Sequence, residues 1–322
     1  MAGTRFHYLG LAGCLAVTAL ILALGPYSSP GMFLPDAGHY WYYWKLAEPT
    51  VWTRLWAWLP YALHNLGLWL LIYRAQQQDL KYSSALHPVN VFAIVFNLGF
   101  VLLHIGQTKY SYDGLAQDVP VWSSQWSVIF MLVFILIMEN QRRGLLFGRK
   151  VSWLKEPGLF LRRYHGYYFA WAIVYTFWFH PIEDNLGHLL GTLYILMLLL
   201  QGSLFFTHMH RNRYWTLLLE VFVLFHGAMV AYLTLDEGQW RMFAFGFAGL
   251  FIMTQMHGVG LGLKARAAFV ALFLAAIAVF YHGTPADIGE VLRIPLAEYA
   301  VALVTGGLIW LAQRRFRAKP QD

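Results

Sequence analysis

A single cysteine, Cys14, occurs in 322 residues, so neither an intramolecular disulfide nor a cysteine-built zinc or iron–sulfur centre can form. Charge is also scarce. Charged residues make up 12% of the chain, about half the share of an ordinary soluble domain, whereas hydrophobic residues make up 59%. One soluble core of this length cannot hide that much apolar surface. Walker, Gly-x-Ser-x-Gly and His-Glu-x-x-His signatures are missing, which removes the chemistries they carry. No lysine falls inside a long apolar run, which excludes a retinal Schiff base. Low-complexity sequence is absent, and so is any internal repeat of the kind that flags many transporters.

What remains is a succession of helix-sized apolar runs with the charges confined between them. The expected fold class is all-α: a polytopic helical membrane bundle of about ten transmembrane helices. The runs lie near 9–25, 52–73, 88–107, 121–140, 159–180, 182–206, 214–234, 240–262, 267–282 and 293–311. The first run follows only Arg5 and is followed by no clear small-x-small cleavage site, so it is expected to stay as an uncleaved helix. Proline in His87-Pro88 and His180-Pro181 marks expected helix starts. After Pro181, Glu183 and Asp184 are expected in a first turn, where the helix dipole favours acids. Trp52, Trp122, Trp215, Trp240 and Trp310 fall at run ends, as in an interfacial aromatic belt.

The net charge of +7 would suggest nucleic acid in a soluble domain, but here it reads as topology, and no nucleic-acid partner is expected. Eighteen of the 23 basic residues fall on one side of this alternation: Arg142, Arg143, Arg149, Lys150, Lys155, Arg162 and Arg163 in one connection, Arg211 and Arg213, Lys264 and Arg266, and Arg314, Arg315, Arg317 and Lys319 of the tail in others, with Arg5, Arg74 and Lys81. The opposite connections are acidic, with Asp113, Asp118, Glu183, Asp184, Asp236, Glu237, Asp287 and Glu290. The positive-inside rule puts the basic side, and both termini, in the cytoplasm, most simply at the inner membrane of a bacterium. Residues 1–322 then form one transmembrane domain. Within it, 26–51 makes an aromatic outer interfacial segment around His39 to Trp44, and 141–158 a basic cytoplasmic loop.

Thirteen histidines stand out in such a chain. Ionisable groups at membrane depth are costly unless they face the bundle interior, so each deep one is a functional candidate. His64 and His226 fall near mid-membrane. His165 and His180 are 15 residues apart, which in a helix is about 22 Å along the axis and about 60° around it. This placement resembles the way b-type cytochromes hold two haems. The next run does not repeat it, because His188 and His208 differ by about 200° by the same geometry, and that family is not assigned.

Three further groups carry chemistry. His180, Asp184 and His188, with His104 from a neighbouring run, supply metal-type donors toward the outer face, Asp184 and His188 being four apart on one expected helix face. Glu220 and His226 are the deep ionisable pair of the seventh run and the candidate catalytic residues. The dipeptides His165-Gly166, His226-Gly227 and His257-Gly258 combine imidazole with room for a flat cofactor, or alternatively for a neighbouring helix. Thr207-His208-Met209-His210 reads as a basic interfacial loop that touches anionic headgroups.

The leading expectation is a membrane oxidoreductase or related enzyme with a histidine-ligated metal, haem or non-haem iron, acting on a quinone or lipid. A proton-coupled transporter or channel using buried His and Glu is the second reading, since histidine titrates at about pH 6.5. An accessory subunit of a larger membrane complex is the third.

Overall fold

The computed structural model describes residues 2–27, 45–112, 114–234 and 239–317. Of the aromatic segment expected over 26–51, residues 28–44, with His39 to Trp44, lie outside the described residues. Among them the chain is all-helical, without a strand. Ten α-helices follow one another: α1 (Ala2–Leu24), α2 (Val51–Gln77), α3 (Pro88–Tyr110), α4 (Val121–Arg143), α5 (Lys155–Phe177), α6 (Leu186–Ser203), α7 (Arg213–Thr234), α8 (Gln239–Met253), α9 (Leu263–Phe280) and α10 (Arg293–Arg317).

Eight of these helices are long and apolar enough to cross a membrane. The exceptions are α5 and α8. The first half of α5 carries Lys155, Glu156, Arg162, Arg163 and His165. At 15 residues, α8 rises about 22 Å, short of the roughly 30 Å of a hydrocarbon core. The surface agrees with a lipid solvent. No residue of α9 is buried, and Leu272, Leu274 and Val279 stand well over half exposed. In water such a face would drive association, whereas in a bilayer it is solvated and the helix satisfies its own backbone.

The helix ends follow local chemistry. Thr50 caps α2 through a reciprocal pair with Thr53. Pro88 occupies the first turn of α3, after His87. The start of α6 departs from expectation. Asn185, not Pro181, begins it, and the Asn185 side chain accepts the backbone N–H of His188. Glu183 and Asp184 therefore lie in the connection and not in a first helical turn. That connection is fastened in place, with Leu115 and Ala116 donating to the carbonyls of Trp178 and Phe179, and Ile182 N–H donating to Thr108 Oγ1 at 3.0 Å. These bonds engage the Trp178 and Phe179 carbonyls and the Ile182 N–H outside any helix.

The chain divides into two compact units. Unit 1 comprises residues 1–128 and 166–215, and unit 2 comprises residues 129–165 and 216–322. In unit 1, α6 packs on α1 and α3, and α3 packs on α2. The ring of Phe96 from α3 fills the space that a side chain at Gly67 of α2 would need. In unit 2, α8 packs on α9 and α10, around Phe245, Tyr281 and Val291. The loop after α4 belongs to this unit. The Asn140 side chain brackets the backbone of Val151, donating at 2.8 Å and accepting at 2.9 Å. Gly144 and Gly148, at φ 79° and 77°, make the turn between them.

Candidate functional site

Unit 1 has a polar core built across α2, α3 and α6. The His64 ring is fully buried. Its Nδ1 accepts the indole N–H of Trp178 at 3.1 Å, so the ring proton sits on Nε2, which donates to Asn97 Oδ1 at 2.7 Å. The Asn97 amide in turn donates to Ser203 Oγ at 2.9 Å, and Ser203 Oγ donates to the Leu199 carbonyl at 2.8 Å. Asn90, one helical repeat away, donates to the carbonyls of Ser203 and Phe205 at the end of α6. Phe100 stacks on the His64 imidazole at 4.4 Å. Every polar atom of this histidine is engaged, and its partners are an amide and an indole, neither of which titrates. The network holds helices together and offers no path for a proton.

Trp178 links this core to a second group of imidazoles. Its ring lies 4.3 Å from that of His104, which is also fully buried. His104 Nε2 donates to the His180 carbonyl at 3.2 Å, while His180 Nδ1 donates to the Pro181 carbonyl at 2.7 Å. The His180 ring stacks on that of His188 at 4.4 Å and 16°. His104 of α3 thus bonds the main chain of the α5–α6 connection, whose His180 ring stacks on His188 in the first turn of α6.

The placements refine the expected metal group. His180 lies beyond the last residue of α5, so it does not share a helix with His165. Asp184 lies outside α6 and packs against Gly25, where its carboxylate leaves no room for a side chain. The one-face relation expected for Asp184 and His188 is therefore not formed. Stacked rings direct their in-plane lone pairs side by side and not toward a common point. Among the described residues, no three His, Cys, Asp or Glu side chains converge as a metal ion needs.

The remaining candidates sit in unit 2. Glu220 forms an ion pair with Arg143 at 2.7 Å, the two side chains being 6% and 2% exposed. A carboxylate held this way is a counter-ion first and a weak base second. Glu139 pairs with Arg142, whose guanidinium also donates to the Gly258 carbonyl. His226 is half-buried on the same helix as Glu220, and Gly227 beside it faces the Phe247 ring, which an added Cβ would approach to 3.1 Å. A helix neighbour uses the room that was open to a cofactor. His165 donates from Nδ1 to the Arg162 carbonyl one turn back. His257 donates from Nε2 to the Ile252 carbonyl and accepts from Arg266 at Nδ1, and Arg142 and Arg143 line the space beside Gly258.

The His-x-His loop is likewise tied internally, to unit 1. His210 and Gln201 exchange hydrogen bonds with each other's backbone, and Gln201 Oε1 accepts the Trp215 indole N–H. Sequence reasoning passed over Glu298, which is 6% exposed in α10. Nor could it join Asn97 to His64 and Ser203, which lie 33 and 106 residues away in the chain. No protein-family model, characterised protein or solved structure compared with this chain matches it.

Proposed function

We propose that the chain is an integral membrane enzyme, an oxidoreductase or a close relative in chemistry, that takes an apolar substrate such as a quinone or lipid from the bilayer. Its chemistry is centred on His104, His180 and His188. The observation that carries this proposal is the gathering of three histidines from three separate stretches of unit 1, the fully buried His104 bonding the His180 main chain and the His180 ring stacking on that of His188. Imidazoles gathered in apolar surroundings suit acid–base work and metal ligation. A histidine-ligated metal or haem would supply the electron transfer.

Metal analysis and an absorption spectrum of the purified protein test this. About one metal atom per chain, or a Soret band, is the expected result. A metal-free protein without visible absorption removes the redox chemistry.

The same proposal includes ten crossings with both termini cytoplasmic, in the inner membrane of a bacterium. The alternation of basic and acidic connections supports it. The 3-10 turn Gln255–Gly258 directly follows α8 and Thr254, and together they reach about 30 Å.

A second reading, proton-coupled transport, draws on the buried Arg143–Glu220 pair in unit 2. It predicts pH-driven flux in proteoliposomes that Glu220→Gln abolishes. Flux unchanged by that substitution, or no flux at all, removes it.

A further inference from the structure

Two short segments of unit 2 adjoin one imidazole. Arg266, at the start of α9, donates from Nη1 to His257 Nδ1 at 3.4 Å. A Cβ at Gly148, in the turn after α4, would lie 3.5 Å from the same nitrogen. The turn carries Arg149 and Lys150, and the start of α9 carries Lys264 and Arg266. Arg149, Lys150 and Lys264 are exposed and Arg266 is half-buried. Glu139 and Glu220 are already paired, the first with Arg142 and Arg162 and the second with Arg143. Among the described residues, no carboxylate pairs with Arg149, Lys150, Lys264 or Arg266. The first turn of α9 holds no acid either, so its two cations stand unanswered at the end of a helix that favours negative charge. Four positive charges thus sit on two adjoining segments with nothing in the chain to neutralise them.

The same segments show apolar side chains to the outside. Leu146, Phe147 and Leu263 are 43%, 55% and 84% exposed. Phe147 has φ 47°, a left-handed conformation that a bulky residue rarely adopts, and its N–H is held by the Met253 carbonyl at 2.7 Å. Cations interleaved with exposed apolar groups suit the headgroup layer of a bilayer, where charge meets phosphate and hydrocarbon is buried. From this point α9 continues without a buried residue, so acyl chains can lie along it.

We infer that this end of unit 2 binds an anionic phospholipid, its phosphate drawn to Arg149, Lys150, Lys264 and Arg266 and its acyl chains laid along α9. A headgroup of net negative charge is complementary to these cations, whereas a zwitterionic one brings a cation of its own that they repel. The two arginines add forked donors suited to phosphate oxygens. The inference goes beyond the proposed reaction and depends on neither metal nor substrate. It requires only that unit 2 lies in a bilayer.

Mass spectrometry of the intact full chain, released from a neutral detergent, counts bound lipid as dioleoylphosphatidylglycerol or dioleoylphosphatidylcholine is titrated in. The anionic lipid is expected to bind about tenfold more tightly. Lys264→Gln/Arg266→Gln and Arg149→Gln/Lys150→Gln should each weaken it about tenfold and leave the zwitterionic lipid unchanged. Arg211→Gln/Arg213→Gln, which removes the same charge from unit 1, should keep the wild-type affinity. Equal binding of the two lipids overturns the inference. So does an equal loss in the Arg211/Arg213 control, which would make the preference a matter of total charge. Glycerophosphoglycerol, the headgroup without its chains, and inorganic phosphate serve as competitors. Displacement of the lipid by either one at the lipid's own concentration would mark a site for soluble phosphate and overturn the lipid assignment. The two double variants remove cations from different segments, so misfolding of one leaves the other to decide. Since no activity or metal is read, failure here is separate from failure of the enzyme proposal.

Discussion

Trp178 donates its indole N–H to Nδ1 of His64 across 3.1 Å, joining residues 114 positions apart. With Asn97 on Nε2, this bond fixes the tautomer of a ring that has no exposed surface. The deepest histidine of unit 1 is thereby a fastening between helices. His64→Leu leaves the Trp178 N–H without an acceptor and Asn97 Oδ1 without a donor. The expected loss is about 1–3 kcal/mol per group, and thermal unfolding of the solubilised protein should show a midpoint several degrees lower. His64→Gln, which keeps an amide in the same place, should cost less.

Arg143 and Glu220 stand in the opposite regime, as charges buried together. Removing one partner strands the other. Arg143→Ala is expected to destabilise by about 3–5 kcal/mol, and the double variant Arg143→Met/Glu220→Leu should recover most of that loss. Unfolding of the wild type, Arg143→Met, Glu220→Leu and the double variant in parallel gives the coupling directly. Additive losses would contradict a direct pair.

Asn140 makes two hydrogen bonds to Val151 and so closes the loop that follows α4. Asn140→Ala should loosen this loop, and trypsin should then cut faster at Arg149 and Lys150, both exposed. Time-resolved digestion of the solubilised protein, followed by mass spectrometry, is the measurement. An unchanged cutting rate would mean that the turn is held by other contacts.

Orientation has an equally direct check. In a Cys14→Ser background, a cysteine placed at Lys150 should react with a membrane-impermeant maleimide only after the cells are opened, whereas one at Glu290 should react in intact spheroplasts. The reverse pattern would invert the proposed topology.

Much of this was legible before any coordinates. Apolar runs interrupted by charge located the eight helices that are long and apolar enough to cross a membrane, because such a helix is written in consecutive residues. The start of α6 was not legible. Pro181 is a valid first-turn residue in isolation, and only the bonds from Thr108, Leu115 and Ala116 draw the chain away from helix until Asn185. The short α8 was read as part of a longer run because Thr254 and Gln255, which follow it, sit among hydrophobic neighbours. Thr254 Oγ1 bonds the Leu145 carbonyl, 109 residues away. The candidate site was legible in residue type but not in arrangement. The His180 and His188 rings stack, but His104 reaches only the His180 main chain and Asp184 turns to Gly25.

The central claim separates the chemical histidines from the structural ones, and metal occupancy measured side by side in three proteins tests it most directly. The wild type and His64→Gln should each hold about one metal atom per chain, and His188→Ala should hold none. A metal-free wild type, or occupancy lost in His64→Gln but kept in His188→Ala, would contradict it.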